Sequence, residues 1–375
     1  MRFPEFDGEW EVKKLGDLLE FKNGINASKE QYGKGVKFIN VLDILNNNYI
    51  TSDNIVGRVD VDKIIVEKFS VKYGDILFQR SSETREEVGT ANVYLDKENT
   101  ATFGGFVIRG RKIGDYEPIF LNKLLKTDSA RDSITSKSGG STRFNVGQEI
   151  LTSIALHFPS FPEQQKIANF LSLIDDQIQT QNKIIEELKV LKSTLRNRLF
   201  QDMVDHGYES FLIKDILEYE QPTKYLVSNT DYSSSTALVP VLTANKAFVL
   251  GYTNETFGIY KKGNCIIFDD FTMDIKYVDF QFKVKSSAIK ILKPKSGINL
   301  KFIFEYLLFL NLQSGEHKRH YISEIEPMMI TLPNIALQDN TAKILSSIDN
   351  KISVESEAFS LLLKQKQYLL SNLFI

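Results

Sequence analysis

The sequence contains a single cysteine, Cys265, among 375 residues. One cysteine excludes an internal disulfide framework and a metal site built from several cysteines, and its apolar neighbours predict a buried strand residue. No apolar run reaches the ~18 residues that a membrane-spanning helix needs, and the amino terminus lacks the apolar core of a signal peptide. The formal net charge is only −2, so a basic surface covering a whole domain is not expected. These absences predict a globular cytoplasmic protein.

Several catalytic motifs are also missing from the sequence. Without a Pro-Pro dipeptide, the Asn/Asp-Pro-Pro-aromatic motif of amino-methyltransferases cannot occur, and neither GxGxxG nor GxxxxGK[ST] is present. Asp269, Asp270 and the segment Asp274–Lys276 resemble the carboxylate and lysine arrangement of some nucleases. Such a short pattern arises often by chance, so we favour a loop contact. The sequence therefore predicts a non-catalytic chain.

Two histidines, His317 and His320, have a spacing that would suit metal binding on one helical turn. No third ligand is evident, and Lys318 and Arg319 lie between them. A turn that contacts phosphate is the better interpretation of this segment.

The main organising feature is a repeat. Residues 158–201 recur without a gap, 174 positions later, as residues 332–375, and 13 of the 44 pairs are identical. The identical pairs include Gln164/Gln338, Asp175/Asp349 and Phe200/Phe374. A long repeat whose copies are separated by an unrelated stretch indicates a duplicated architecture.

Each copy of the repeat is predicted to be a long helix. Leu171, Ile178, Ile185 and Leu199 share one heptad position, and Ile167, Ile174, Leu188 and Leu195 share its partner. Matched polar breaks interrupt this seam at Gln181/Glu355 and Lys192/Lys366. Five heptads give a helix on the order of 55–60 Å long.

The remaining segments read as two related lobes. Apolar runs at residues 36–41, 63–66, 75–78, 91–95 and 103–109 predict strands in the first, followed by a helix from Pro118 and a strand at 154–158. The second lobe opens with a similar segment at 208–219 and has a helical run at 300–310. The predicted segments are a lobe at 1–157, a helix at 158–204, a lobe at 205–331 and a helix at 332–375.

The order lobe, helix, lobe, helix favours antiparallel pairing of the helices, because each lobe then stays compact at one end. The predicted fold class is α+β, with two α/β lobes joined by two long antiparallel helices in an intramolecular coiled coil. Two independent dimerisation helices remain an alternative. Two related lobes at a fixed separation would suit duplex DNA, whose half-sites are spaced by helical turns of ~34–36 Å.

Three segments carry a resemblance to a known family: the helix entry FPSFPEQQKIANFLSLID, the opening WEVKKLGDLLE and the element GDILF. Together with the order of lobes and helices, they resemble the specificity subunit of type I restriction-modification systems. The second helix entry departs from this pattern at Leu337, where the first has Glu163.

The resemblance implies two target-recognition domains, each reading one half of an asymmetric bipartite DNA site. It also implies that the helices dock two methyltransferase subunits, which motor-nuclease subunits then join. S-adenosylmethionine, ATP and magnesium would belong to those partners. The alternatives are a specificity subunit of a combined type II-like enzyme and a two-lobed scaffold with no DNA role.

Candidate DNA contacts are polar residues in loops, because phosphate and base edges are read by Lys, Arg, Asn, Gln, Ser and Thr. In the first lobe these are Gln79, Arg80, Ser81, Arg85, Lys137, Ser141, Thr142, Arg143 and Asn145. In the second they are Thr243, Asn245, Lys246, Thr272, Lys276, Lys318 and Arg319.

Overall fold

The computed structural model of the chain describes residues 2–140, 142–243, 247–314 and 318–374. These residues form two compact units, one made of 1–182 with 357–375 and the other of 183–356. Each unit thus holds one lobe and part of each long helix. In the described part of the chain, no helix has an apolar stretch long enough to cross a membrane.

The first unit is built from short strands and helices. Its strands are β1 (Glu11–Lys14), β2 (Leu19–Asn23), β3 (Tyr32–Ile39), β4 (Arg58–Val59), β5 (Ile76–Gln79), β6 (Ser81–Ser82), β7 (Ala91–Val93), β8 (Thr102–Phe103), β9 (Val107–Lys112), β10 (Phe144–Asn145) and β11 (Ala155–Phe158). Its helices are α1 (Leu15–Leu18), α2 (Val41–Leu45), α3 (Lys63–Lys68), α4 (Pro118–Leu124), α5 (Asp128–Thr135), α6 (Gln148–Thr152) and the start of α7 (Phe161–His206), with a 3-10 turn at Lys29–Gln31.

Two sheets form the lobe of this unit. The larger has the order β2-β9-β5-β7 with antiparallel neighbours, and the smaller has the order β4-β3-β8, in which β3 and β8 are parallel. β1 pairs with β11 and thereby closes the lobe where α7 begins. The predicted strand at 63–66 is wrong. Those residues form the surface helix α3, in which Ile64 is exposed rather than set in a sheet.

The second unit repeats this plan. Its strands are β12 (Glu209–Leu212), β13 (Leu217–Glu220), β14 (Val239–Leu242), β15 (Val249–Thr253), β16 (Cys265–Asp269), β17 (Ile275–Val278), β18 (Lys283–Val284), β19 (Ile289–Pro294) and β20 (Met329–Leu332). Its helices are α8 (Ile213–Ile216), α9 (Leu300–Phe309) and α10 (Ile335–Leu373), with a 3-10 turn at Pro222–Tyr225 and a π-helical turn at Tyr321–Ile325.

The strand orders of the second lobe are β13-β19-β16-β17 and β15-β14-β18, and β12 pairs with β20. Each of these strands has a counterpart at the same place in the first lobe. In the three-stranded sheet of the second lobe, the central strand β14 is parallel to the edge strand β18, as β3 is to β8 in the first lobe. The two lobes therefore share a topology although their sequences, beyond the opening segment, share little.

The long helices are antiparallel within each unit. In the first, Asp175 of α7 forms an ion pair with Lys366 of α10 at 2.7 Å, and Asn182, further along α7, shares a cavity with the earlier residue Phe359. The core of this unit combines Leu171 of α7 with Leu369 of α10.

In the second unit, the pairing joins the other halves of the same helices. Lys192 of α7 contacts Asp349 of α10 at 2.7 Å, and Phe200 lies in one core with Ala342 and Leu345. These contacts confirm the predicted antiparallel pairing, and the buried heptad residues Ile167, Ile174 and Ile185 confirm the seam.

Candidate nucleic-acid interface

In the first lobe, the structure joins two loops that are more than 50 residues apart in sequence. β6 and β10 pair antiparallel, which sets Ser81 opposite Asn145 and Ser82 opposite Phe144. Ser81 Oγ donates a 2.5 Å hydrogen bond to Asn145 Oδ1. The predicted contact residues Arg80, Ser81 and Arg85 therefore lie on one surface with Lys137, Thr142, Arg143 and Asn145, at the end of the central strand β5.

A hairpin tip projects from this surface. Gly139 and Asn145 exchange two backbone hydrogen bonds of 2.8 and 3.1 Å, which close the loop between them. Gly140 has φ +116°, and a Cβ there would lie 2.1 Å from the carbonyl oxygen of Arg143, so glycine is required. Thr142 and Arg143 stand exposed beyond it.

Arg143 has one loose ion-pair partner among the residues that the structure describes. Its Nη2 lies 3.9 Å from Glu83 Oε1, and both side chains are more than half exposed. An exposed ion pair of this kind stabilises little, so the guanidinium is available to a ligand.

The other cations of this surface also brace its loops. Arg85 donates to the carbonyl oxygens of Thr135 and Ser136, at 3.1 and 3.3 Å, beside the carboxyl end of α5. Lys137 Nζ lies 3.2 Å from Ser153 Oγ, and Arg80 Nη1 donates to Gly105 at 3.3 Å. All three side chains remain exposed.

Gln79 requires a correction. Its side chain is only 4% exposed, and Nε2 donates to the carbonyl oxygen of Ser81 at 3.0 Å. The side chain therefore supports Ser81 from behind the surface instead of reaching a ligand.

The second lobe has a corresponding loop after β16. Asp269 Oδ1 accepts hydrogen bonds from the amides of Phe271 and Thr272, at 2.9 and 3.0 Å, and Met273 adopts φ 59°. Thr272 is exposed at this turn, where its hydroxyl donates to Asp274, and Lys276 follows on β17 half-buried.

A buried carboxylate ties this turn to the segment at 318–321. Asp270 accepts from the amides of His320 and Tyr321, at 3.1 and 2.8 Å, and lies 3.5 Å from Lys290 Nζ. The Arg319 guanidinium lies 5.9 Å from the Phe271 ring. Thr272, Lys318 and Arg319 therefore belong to one surface, at the place where the first lobe carries its joined loops.

The residues of the nuclease-like pattern and the described histidine, His320, have structural roles. Asp269 and Asp270 hold the turn and its neighbouring segment, as the loop interpretation expected. His320 is buried, with Nδ1 3.0 Å from Glu324, so within the predicted phosphate-contacting turn the exposed cations are Lys318 and Arg319. Within the described residues, no group of three or more His, Cys, Asp or Glu side chains could hold a metal ion.

Thr243 is the second predicted contact residue that is buried, and its amide donates to Phe248 at 3.0 Å. Ser141, Asn245, Lys246 and His317 fall outside the residues that the structure describes.

Each lobe is held on the helices by an equivalent triad, one carboxylate between two lysines. Asp175 is buried, whereas the side chain of Asp349 is 36% exposed. In the first unit, Asp175 contacts Lys123 of α4 and Lys366 of α10. In the second, Asp349 contacts Lys301 of α9 at 2.9 Å and Lys192 of α7 at 2.7 Å. The sequence identified Lys192 and Lys366 only as breaks in the seam, and the identity of the Asp175/Asp349 pair was the one signal of their role.

The protonation of both carboxylates follows from these contacts. Burial alone raises the pKa of Asp175, but Lys123 and Lys366 outweigh it and hold that pKa below its usual range. Burial likewise opposes Lys192 and Lys301 at Asp349, where the lysines also prevail and lower the pKa. Both carboxylates are therefore ionised near neutral pH.

A second repeated residue links each lobe to the helix entry. Gln164 Oε1 accepts from the Glu117 amide before α4, and Gln338 Oε1 accepts from the Asn299 amide before α9, both at 3.0 Å. Each amide nitrogen donates back to the proline carbonyl five residues earlier. The duplicated sequence thus preserves the lobe-to-helix joint.

Comparison with known proteins agrees with this architecture. A family model described as the type I restriction modification DNA specificity domain matches residues 7–190 and 205–360. The specificity subunit of the Escherichia coli type I restriction enzyme EcoR124I/EcoR124II is 42% identical over 167 residues, which are 41% of this chain and 41% of the relative. The chain therefore matches about two fifths of that relative's length.

Two further matches span nearly the whole chain. The putative MjaX specificity subunit of Methanocaldococcus jannaschii is 24% identical over 402 residues, covering 98% of this chain and 93% of the relative. A solved type I restriction-modification S subunit from M. genitalium has a TM-score of 0.66 at 16% identity, covering 100% and 99% of the two chains. At that identity, the likeness supports the fold.

Proposed function

Since the chain belongs to the family of type I restriction-modification DNA specificity domains, we propose that it is a specificity subunit whose two lobes each read one half of an asymmetric split DNA site. The type II-like alternative gains no support from the relatives described above, whose names are those of type I enzymes. In this role the chain performs no catalysis itself and acts in the cytoplasm.

One observation carries this proposal: both lobes present exposed polar loops at the same place in the same topology. The loops follow the corresponding central strands β5 and β16. The side chains on these loops differ between the lobes. The first lobe carries Ser81, Thr142, Arg143 and Asn145, and the second carries Thr272, Lys318 and Arg319. Equivalent position with different chemistry predicts two half-sites of different sequence.

Within the first lobe, the contacts divide into two kinds. Thr142 and Arg143, at the projecting hairpin tip, are the candidates for reading base edges, for which an unconstrained guanidinium is suited. Arg80, Arg85 and Lys137 already hold loop carbonyls and hydroxyls and would position the lobe on phosphates. Ser81 and Asn145 bond to each other and would contact DNA as one unit.

In the second lobe, Thr272 and Arg319 are the corresponding candidates for base contacts. Lys276 and Lys318 would contact phosphates. The buried Asp270 fixes the segment that carries Lys318 and Arg319 against the turn that carries Thr272.

We further propose that the outer faces of α7 and α10 dock two methyltransferase subunits, with motor-nuclease subunits joining that core. Large apolar side chains stand exposed on both helices, among them Leu173 at 62%, Val190, Leu361 and Tyr368. Where such side chains form a contiguous patch, they mark a contact surface. S-adenosylmethionine, ATP and magnesium would be bound by those partners and not by this chain.

The test is methylome sequencing of cells with and without this chain. The proposal predicts a split motif with a non-specific gap, methylated only when the chain is present. An unchanged methylome would leave a scaffold with no DNA role. The same experiment would give the two half-site sequences and the spacer length.

A further inference from the structure

A cluster of four cations lies in the first lobe, away from the loops described above. Lys22 of β2 lies opposite Arg109 of β9, with Arg111 two residues further along and Lys68 at the end of α3. We propose that this cation cluster is a phosphate-binding site present in the first lobe and absent from the second.

The cluster is assembled around the backbone next to Phe69. Arg109 Nη1 and Arg111 Nη2 both donate to the Ser70 carbonyl oxygen, and Lys22 Nζ donates to the Lys68 carbonyl at 3.1 Å. The ammonium groups of Lys22 and Lys68 lie 4.8 and 5.9 Å from the Phe69 ring. The four side chains therefore converge on one short segment.

The positive charge of the cluster is not balanced by the carboxylates beside it. Asp75 lies 3.1 Å from Arg111 Nε but also accepts from the backbone amides of Lys72 and Lys112. Glu20, opposite Arg111 in the strand register, is exposed. Asp75 and Glu20 thus face four cations, and an added dianion would balance the remainder.

Arg109 shows the strongest sign of a missing ligand. Its side chain is only 5% exposed, and its guanidinium carbon lies 5.5 Å from the centroid of the Phe103 ring. Its buried Nε donates no hydrogen bond to any residue that the structure describes. A buried donor without an acceptor is costly and needs an explanation such as an anion. Burial, followed by the like charges of Arg109 and Lys68, lowers the pKa of Lys22, which a bound phosphate would reverse.

The second lobe provides an internal comparison. The fourth residue of β2 is Lys22, whereas the fourth residue of β13 is Glu220. Glu220 is paired with Lys262 at 2.7 Å and with Lys293 at 2.5 Å. The register partner of Glu220 is Ile291, where the first lobe has Arg109. The second lobe therefore neutralises this position with its own carboxylate, and the first leaves it open to an external anion.

Phosphate is the class of ligand that suits the geometry. Two guanidinium groups and two ammonium groups can donate together to phosphate oxygens, and arginine does so with a fixed planar fork. The phosphate could belong to the DNA backbone, in which case the inference rests on the proposed function. It could also be free in solution, in which case the inference is independent of the proposed function.

The test compares Lys22→Gln, Lys68→Gln and the double variant in the full chain. Lys63→Gln is the matched control, because it removes the same charge from an exposed position of the same helix α3. Lys22→Arg keeps the charge and should behave as the unaltered chain does. Two measurements are needed: the salt dependence of DNA binding, and the melting temperature with inorganic phosphate against chloride at equal ionic strength.

If the cluster holds a backbone phosphate, the double variant lowers the salt slope of log K by about 0.9. Affinity should fall by the same factor for the split site and for unrelated DNA. If it holds free phosphate, inorganic phosphate raises the melting temperature of the unaltered chain and of Lys63→Gln but not of the double variant, while the DNA slope is unchanged.

If the double variant changed neither the salt slope of DNA binding nor the stabilisation by phosphate, the proposed site would be wrong. Failure of the proposed function would give a different result. The unaltered chain would then not prefer the split site over unrelated DNA, although it would still respond to phosphate.

Discussion

Asp175→Asn isolates the triad that joins the first lobe to both helices. The change keeps the side-chain shape but removes the negative charge that faces Lys123, which is buried, and Lys366. Removing one partner of a buried ion pair typically costs ~3–5 kcal/mol, because the remaining charge stays desolvated and uncompensated. We therefore expect local destabilisation of the first unit.

Hydrogen exchange of the native protein is the appropriate assay, because a chain with two units need not unfold in one step. At about 1.4 kcal/mol per factor of ten, the loss corresponds to exchange that is roughly 10²- to 4 × 10³-fold faster. The amides of α4 and of the last turns of α10 should show it, since these segments carry Lys123 and Lys366.

Asp176→Asn is the matched control. It removes the same charge one position away, where the side chain is exposed, and should change stability by no more than about 0.5 kcal/mol. Equal exchange rates in the two variants would refute the reasoning.

Asp349→Asn should have a smaller effect than Asp175→Asn. There the two lysines of the triad keep another partner, because Glu305, which is 0% exposed, lies 2.8 Å from Lys192 and 3.2 Å from Lys301.

Two further predictions concern the helices and the second lobe. Leu173→Asp alters a solvent-exposed position of α7 and should weaken methyltransferase assembly about tenfold in a pull-down titration while the melting temperature stays unchanged. Unchanged assembly would contradict the docking assignment. Burial raises the pKa of Glu220, but hydrogen bonds from Lys262 and Lys293 outweigh it and lower that pKa to about 2. Because the pKa of Glu220 is depressed in the folded state, its contribution to stability is present above the ordinary pKa of about 4.3 and is lost only as the pH falls towards 2. An NMR titration of the Glu220 carboxylate with a midpoint near pH 4 would contradict these contacts.

The gapless repeat accounts for what could be predicted. The identical pair Phe200/Phe374 falls into core contacts in both units, where Phe200 packs 5.0 Å from Tyr306 and Phe374 packs 5.4 Å from Phe120. The heptads set the seam, and the order of segments led to antiparallel pairing. These features depend on local periodicity, which a sequence displays directly.

The remaining features depend on contacts between distant residues. Nothing near Ser81 indicates that it pairs with Asn145, and nothing near Lys192 indicates that it meets Asp349. Gln79 and Thr243 were predicted as contacts because they were assigned to protruding loops, but Gln79 ends strand β5, Thr243 directly follows β14, and both are buried. Residues 63–66 have strand-like composition yet form a surface helix with no buried residue, so their β-propensity was not reinforced by packing in a sheet.

The central claim is that each lobe reads one half of the split DNA site. It can be tested by one pair of methylomes. Arg143→Ala and Arg319→Ala should be placed separately in the full chain, and the methylated motif determined for each. The account predicts that Arg143→Ala relaxes one half of the split motif and Arg319→Ala relaxes the other, with each mismatch costing ~1–3 kcal/mol less than before. Relaxation of the same half by both variants, or of both halves equally by either one, would contradict it.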